Sequence, residues 1–146
     1  MFNEFFQEQW PLFLAVAMII MMLAYSYFGD KLSGYKSVNT AEAIRLYNDE
    51  AYVLDVRSAN EFKEGAIANA TNISVSELNG KLGQLPKDKD APVLVYCLSG
   101  ARSARAAGQL VKAGYTQVFN LSGGINAWKN AGLPVGTNKS KKNRKK

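Results

Sequence analysis

The sequence predicts an α/β domain with a largely parallel sheet, preceded by one transmembrane helix. Three observations carry this. Short apolar runs alternate with helical patterns between residues 37 and 135, as strands joined by helical crossovers require. Helical segments open on capping residues at Asn39 and Ser58, and glycines close those that end near Gly65 and Gly114. Ahead of them no residue from Gln9 to Gly29 is charged.

Residues 1–10 form a short N-terminal segment. Residues 11–28, Pro11 to Phe28, are 18 residues, nearly all apolar or aromatic. As a helix they reach about 27 Å, close to the least thickness of a bilayer's hydrocarbon core. The run is apolar all round, unlike the single stripe of a surface helix. Trp10 at one edge and Tyr25 and Tyr27 at the other suit the interfaces. The stretch before it carries Glu4 and Glu8 but no Lys or Arg, so it reads as an uncleaved anchor and not as a signal peptide. Lys31 and Lys36 follow the span. The positive-inside rule then predicts a single-pass protein of the cell (inner) membrane, N-terminus outside and domain cytoplasmic. The lone Cys fits that reducing side. Residues 29–36 read as a polar linker.

The domain is expected over residues 37–135. Asn39 or Thr40 caps a helix to about Tyr47, with Glu42 in capping-box position. Ala51 to Val56 reads as a buried strand. Ser58 and Glu61 repeat the capping box and open a short helix ending near Gly65. Ala70 to Ser74 is a weak strand, and Ser76 to Leu85 a weak helix interrupted by Gly80 and Gly83. Pro92 to Tyr96 is the strongest strand signal and Ser103 to Ala113 the strongest helix signal, stopped by Gly114. Gln117 to Leu121 reads as a strand and Ile125 to Asn130 as a last short helix.

Composition narrows the chemistry. The chain has no His and one Cys. That excludes Ser-His-Asp hydrolysis, Cys-His proteolysis, His-ligated metal sites, a disulfide framework and a Cys-rich zinc site. No metal or cofactor is expected. The net charge of +6 belongs to the C-terminus, where Lys139, Lys141, Lys142, Arg144, Lys145 and Lys146 meet no acidic group. The rest of the chain is formally neutral. Residues 136–146 therefore read as a disordered basic tail, with weak contact to anionic lipid favoured over RNA. Without interleaved aromatics, nucleic acid is not an expected partner.

Ligands of parallel sheets bind beyond the carboxyl ends of the strands. There the lone Cys97 starts a loop, Cys97-Leu98-Ser99-Gly100-Ala101-Arg102-Ser103, from the strongest strand to the strongest helix. Small residues let the N–H groups turn inward as an anion nest, the helix adds its positive end, and Arg102 adds a charged fork. A thiol so placed ionises readily, and the thiolate is the nucleophile.

Four segments follow in order: Leu54-Asp55-Val56-Arg57; Glu61-Phe62-x-x-Gly65-x-Ile67 with Ala70-x-Asn72-Ile73; Cys97-x-x-Gly100-x-Arg102-Ser103; and Leu121-x-Gly123-Gly124-x-x-x-Trp128. Over about Ser37 to Pro134 they resemble a single-domain rhodanese, of the thiosulfate sulfurtransferase family. The resemblance implies a small parallel sheet flanked by helices on both faces. It also implies a sulfur shuttle. Cys97 takes the outer sulfur of a small anionic donor such as thiosulfate, becomes a persulfide, and passes the sulfur to cyanide or a thiol. Residues Leu98 to Ser103 would bind substrate, with Arg57 at the pocket mouth or, with Asp55, giving structural support. Trp128 is expected in the core.

Two positions depart from the family pattern. Ala66 stands where His is frequent, and Leu98 where many relatives carry a polar residue. An apolar Leu98 favours a persulfide or protein-bound donor over thiosulfate. Two other functions compete with this one. A cysteine phosphatase places its Arg six positions after Cys, whereas here Arg102 is fifth and Ser103 sixth. An interaction module without turnover, its partner a membrane protein, commonly lacks the loop Cys that this chain keeps.

Overall fold

The computed structural model describes residues 2–137, with the side chains of residues 6 and 30 left aside; the basic tail lies outside the described residues from 138 on. The chain divides into a helical unit ending at Ser33 and an α/β unit starting at Gly34.

The first unit is one helix, α1 (Phe2–Ser33), of 32 residues. It extends past both ends of the expected span and takes up most of the expected linker. Pro11 lies within it. The stretch Gln7–Gly29 is long and apolar enough to cross a membrane. Its apolar side chains are exposed, Met18 at 70 % and Leu23 at 64 %.

The second unit is a five-stranded sheet in the order β1-β5-β4-β2-β3, every pair parallel. Its strands are β1 (Lys36–Val38), β2 (Tyr52–Asp55), β3 (Thr71–Asn72), β4 (Val93–Tyr96) and β5 (Val118–Leu121). The helices are α2 (Thr40–Asn48), α3 (Ala59–Glu64), α4 (Ala101–Lys112) and α5 (Gly124–Asn130). Helices on both faces and an all-parallel sheet agree with the expected class. Strand β1 was not expected. It is three residues long at a sheet edge, and only Val38 is buried, so it carries no apolar run to read. The weak helix of residues 76–85 is two 3₁₀ turns, Leu78–Gly80 and Leu82–Gln84, because the glycines break it before a full α turn repeats.

Alternation along β4 sorts the core. Val93, Val95 and Cys97 join one cluster with Leu54, Val56, Ala106, Ala107 and Leu110, under α4. Leu94 and Tyr96 join the other with Val38, Ala43, Leu121, Ile125 and Trp128, under α2 and α5. Trp128 is buried, as expected, and its indole N–H donates to the Pro134 carbonyl at 3.1 Å. Both N-cap hydrogen bonds form: the Asn39 side chain accepts from the N–H of Glu42 at 2.9 Å, and Ser58 Oγ from that of Glu61 at 3.3 Å.

Candidate active site

Cys97 follows the last residue of central strand β4, at the carboxyl edge of the sheet. Its sulfur is turned to the α4 side by the strand's alternation and is almost wholly buried, at 1 % exposure. The chain then climbs through Leu98 and Ser99 to Gly100, the N-cap of α4. Gly100 has φ 110°, which a side chain would disfavour. That turn brings the Gly100 N–H within 3.1 Å of Cys97 Sγ. Ser103 Oγ is 3.4 Å from the same sulfur. Burial opposes ionisation of the thiol. Hydrogen bonds from the Ser103 side chain and from the N–H groups of Ser103, Gly100 and Ser99 outweigh it, so the thiol pKa lies below its ordinary value. The N-terminus of the 12-residue helix α4 acts in the same direction.

The loop's carbonyls are held from outside. The N–H groups of Ile125 and Asn126 donate to the carbonyls of Cys97 and Leu98 at 2.9 and 3.2 Å. Occupying those oxygens on α5 leaves the loop's N–H groups to face the sulfur. This close approach explains Gly124, which has φ 57° and whose missing Cβ would stand 2.4 Å from the Cys97 carbonyl oxygen. Gly124→Ala adds a left-handed strain and a backbone clash, together about 2–4 kcal/mol. The thermal midpoint of the domain is expected to fall by on the order of 10–20 °C. An unchanged melting curve by circular dichroism would count against the buttress.

The expected binding residues divide between loop and interior. Ser99, Gly100 and Ser103 donate hydrogen bonds to the sulfur, whereas Leu98 is 41 % exposed and Ala101 is exposed as well. Arg102 does not point its fork inward. Its two terminal nitrogens donate to the two carboxylate oxygens of Glu61 at 2.9 Å each. The hydrogen bonds from Arg102 hold the Glu61 carboxyl at a pKa of about 2, against an ordinary 4.5. Glu61 thus serves two ends, capping α3 and tying it to the loop. The capping box revealed the first role, and nothing in the spacing of residues 61 and 102 revealed the second.

Arg57 is turned into the protein. Its side chain is 4 % exposed and clasps the fully buried Asp55 carboxylate, Nη2 to Oδ2 at 2.6 Å. Nη2 also donates to the Gly65 carbonyl at 2.7 Å, and the guanidinium lies 5.6 Å from the centre of the Tyr96 ring. Its Nε and Nη2 donors are therefore used inside the protein. One further side chain belongs to the site and was not foreseen: buried Asn120 on β5, whose Oδ1 is 2.6 Å from Ser103 Oγ. Among the described residues no group of His, Cys, Asp and Glu could hold a metal ion.

An all-parallel five-stranded sheet with a lone thiol in an N–H nest between its central strand and the next helix defines a class of thiol-centred α/β domains. This chain belongs to the rhodanese-like domain family, whose pattern it matches over residues 39–131. It is 37 % identical over 126 residues to the uncharacterized protein YibN of Escherichia coli K12, covering 84 % of this chain and 88 % of that one. It is 38 % identical over 96 residues to the thiosulfate sulfurtransferase GlpE of Coxiella burnetii, covering 65 % and 88 %. The crystal structure of a rhodanese-related protein from Thermoplasma volcanium is similar with a TM-score of 0.62 and 42 % identity, covering 70 % of this chain and 99 % of that one.

Proposed function

We propose that this protein is a membrane-anchored sulfurtransferase in which Cys97 carries a sulfane sulfur as a persulfide. The observation that carries the reading is the Gly100 N–H donated to Cys97 Sγ at the positive end of α4. That arrangement stabilises an anion on sulfur before and after transfer. The thiolate attacks the outer sulfur of the donor. A Cys97 S–S bond forms, the donor's S–S bond breaks, and its electron pair leaves with the departing group, sulfite in the case of thiosulfate. An acceptor thiolate or cyanide then attacks the outer sulfur, and the bonding pair returns to Cys97. No general base is needed where the thiol is already ionised, in keeping with a chain that has no His.

The near-complete burial of the sulfur favours donors that present a slender terminal sulfur. Exposed Leu98 beside it adds apolar contact and favours a persulfide or a protein-bound donor over thiosulfate. The anchor is supported by α1: an exposed apolar helix of this length is stable in hydrocarbon and costly to leave in water. Lys31 and Lys36 favour a cytoplasmic domain.

The test is intact mass of the purified full chain in mild detergent after exposure to thiosulfate, inorganic polysulfide or glutathione persulfide. The expected product is one sulfur heavier and reverts on adding cyanide or a thiol, with loading fastest from the persulfide. No adduct from any of the three donors would overturn the reading and point to an interaction module.

A further inference from the structure

Three acceptors compete for one hydroxyl proton behind the sulfur. Ser103 Oγ lies 2.6 Å from Asn120 Oδ1, 3.1 Å from the Gly100 carbonyl oxygen and 3.4 Å from Cys97 Sγ. A hydroxyl carries a single hydrogen, so it serves one of them at a time. Ser103 is fully buried and Asn120 nearly so, and the contest is settled inside the protein. The 2.6 Å separation belongs to the range of O–H···O bonds and is shorter than N–H···O bonds prefer. The Ser103 proton therefore rests on the Asn120 oxygen, and the hydroxyl's lone pairs are left to face the thiol. Asn120 is placed by the sheet and not by a loop, since it pairs with Val95 in the β4–β5 ladder. Its amide nitrogen is 3.5 Å from the Gly100 carbonyl, too long to hold it firmly.

We propose that Asn120 is a positioning residue for the sulfur chemistry: its amide oxygen holds the Ser103 hydroxyl proton while Cys97 is a thiol and yields it when the sulfur becomes an anion. A charged acceptor draws a stronger hydrogen bond than a neutral one, so ionisation of Cys97 turns the hydroxyl toward sulfur and protonation turns it back. Asn120 thus opposes ionisation modestly and sets the poise of the thiol. The proposal rests on the reading of Cys97 as the reacting sulfur, but it concerns a proton position and needs no sulfur donor.

Arg102 on α4 bears on this sulfur, while Glu61 on α3 and Asp55 at the end of β2 bear on Arg102. None of them is changed in the test. Cys97 is the only cysteine of the chain, so the rate of iodoacetamide alkylation against pH reads its ionisation alone. Asn120→Leu removes the competing acceptor at similar volume. In the full chain in detergent, the midpoint is expected to move down by about half to one pH unit, the size of one net hydrogen bond. In a Ser103→Ala background the same substitution is expected to move it little. An upward shift, or an equal shift in both backgrounds, would overturn the proposal. If Asn120→Leu fails to fold by circular dichroism, Asn120→Asp serves. Its carboxylate is a stronger competitor and raises the midpoint, more with Ser103 present than in Ser103→Ala. An equal rise in the two backgrounds would likewise overturn it.

Discussion

Cys97→Ser is expected to abolish sulfur uptake, reducing transfer from any donor by at least about a thousandfold, to background. Serine preserves the hydrogen bond from the Gly100 N–H and nearly the volume, so the fold and the loop should survive. What is lost is a nucleophile that ionises near neutral pH and bonds to a second sulfur. The whole-chain mass of the variant should not change with donor. With the native thiol, the dependence of loading rate on pH follows the thiolate fraction. Because the hydrogen bonds of the loop hold the thiol below its ordinary value of 9.0, the rate should rise with pH and level off before that value. A rate that goes on climbing through pH 9 would mean that the nest does not favour the anion. Sulfur transfer retained by Cys97→Ser would remove Cys97 from the mechanism altogether.

The site was legible in the sequence as far as its parts are local. Strand β4, the loop and α4 are contiguous, and each announces itself: four consecutive buried residues, then small residues, then an amphipathic helix. The thiol's nearest donor is three residues away along the chain. The N-caps at Asn39 and Ser58 are local as well, and both hydrogen bonds form. What could not be read is tertiary. Arg102 reaches across 41 positions to Glu61, and Ser103 across 17 to Asn120. From sequence an arginine beside a nucleophile looks free to bind substrate, since only the fold reveals a carboxylate within reach. Arg57 is open to two readings for the same reason, and only the fold reveals its buried pairing with Asp55. Strand β1 escaped because an edge strand of three residues with one buried side chain has no periodicity to detect.

These pairings leave little guanidinium charge free beside the sulfur. Arg102 and Arg57 are both matched by carboxylates. The groups that favour an anion on the sulfur are therefore chiefly the Ser103 hydroxyl, the backbone N–H groups of Ser103, Gly100 and Ser99, and the end of α4. Backbone donors are fixed by the fold and do not reorganise when the charge on sulfur develops. The arginines instead hold the frame: Arg102 ties α4 to α3, and Arg57 ties the end of β2 to Gly65, just past α3.

Asp55→Ala therefore has the largest expected effect on stability. The carboxylate accepts the Arg57 backbone N–H at 2.9 Å, Nε at 3.0 Å and Nη2 at 2.6 Å. Without it a guanidinium with 4 % side-chain exposure keeps its charge and loses its counter-ion. Breaking a buried pair from one side costs about 3–5 kcal/mol, a large share of the 5–15 kcal/mol that holds an ordinary domain together. Urea unfolding of the full chain in detergent should show a much lower midpoint. Asp55→Asn should lose less, because an amide oxygen still accepts from the backbone N–H. Replacing both partners, Asp55→Leu with Arg57→Met, should recover much of the loss, because no charge is then left stranded. If the double variant is no more stable than Asp55→Ala, the cost lies in the loop geometry that the carboxylate organises and not in an uncompensated charge. If Asp55→Ala leaves the midpoint unchanged, the pair does not hold the frame beneath the loop.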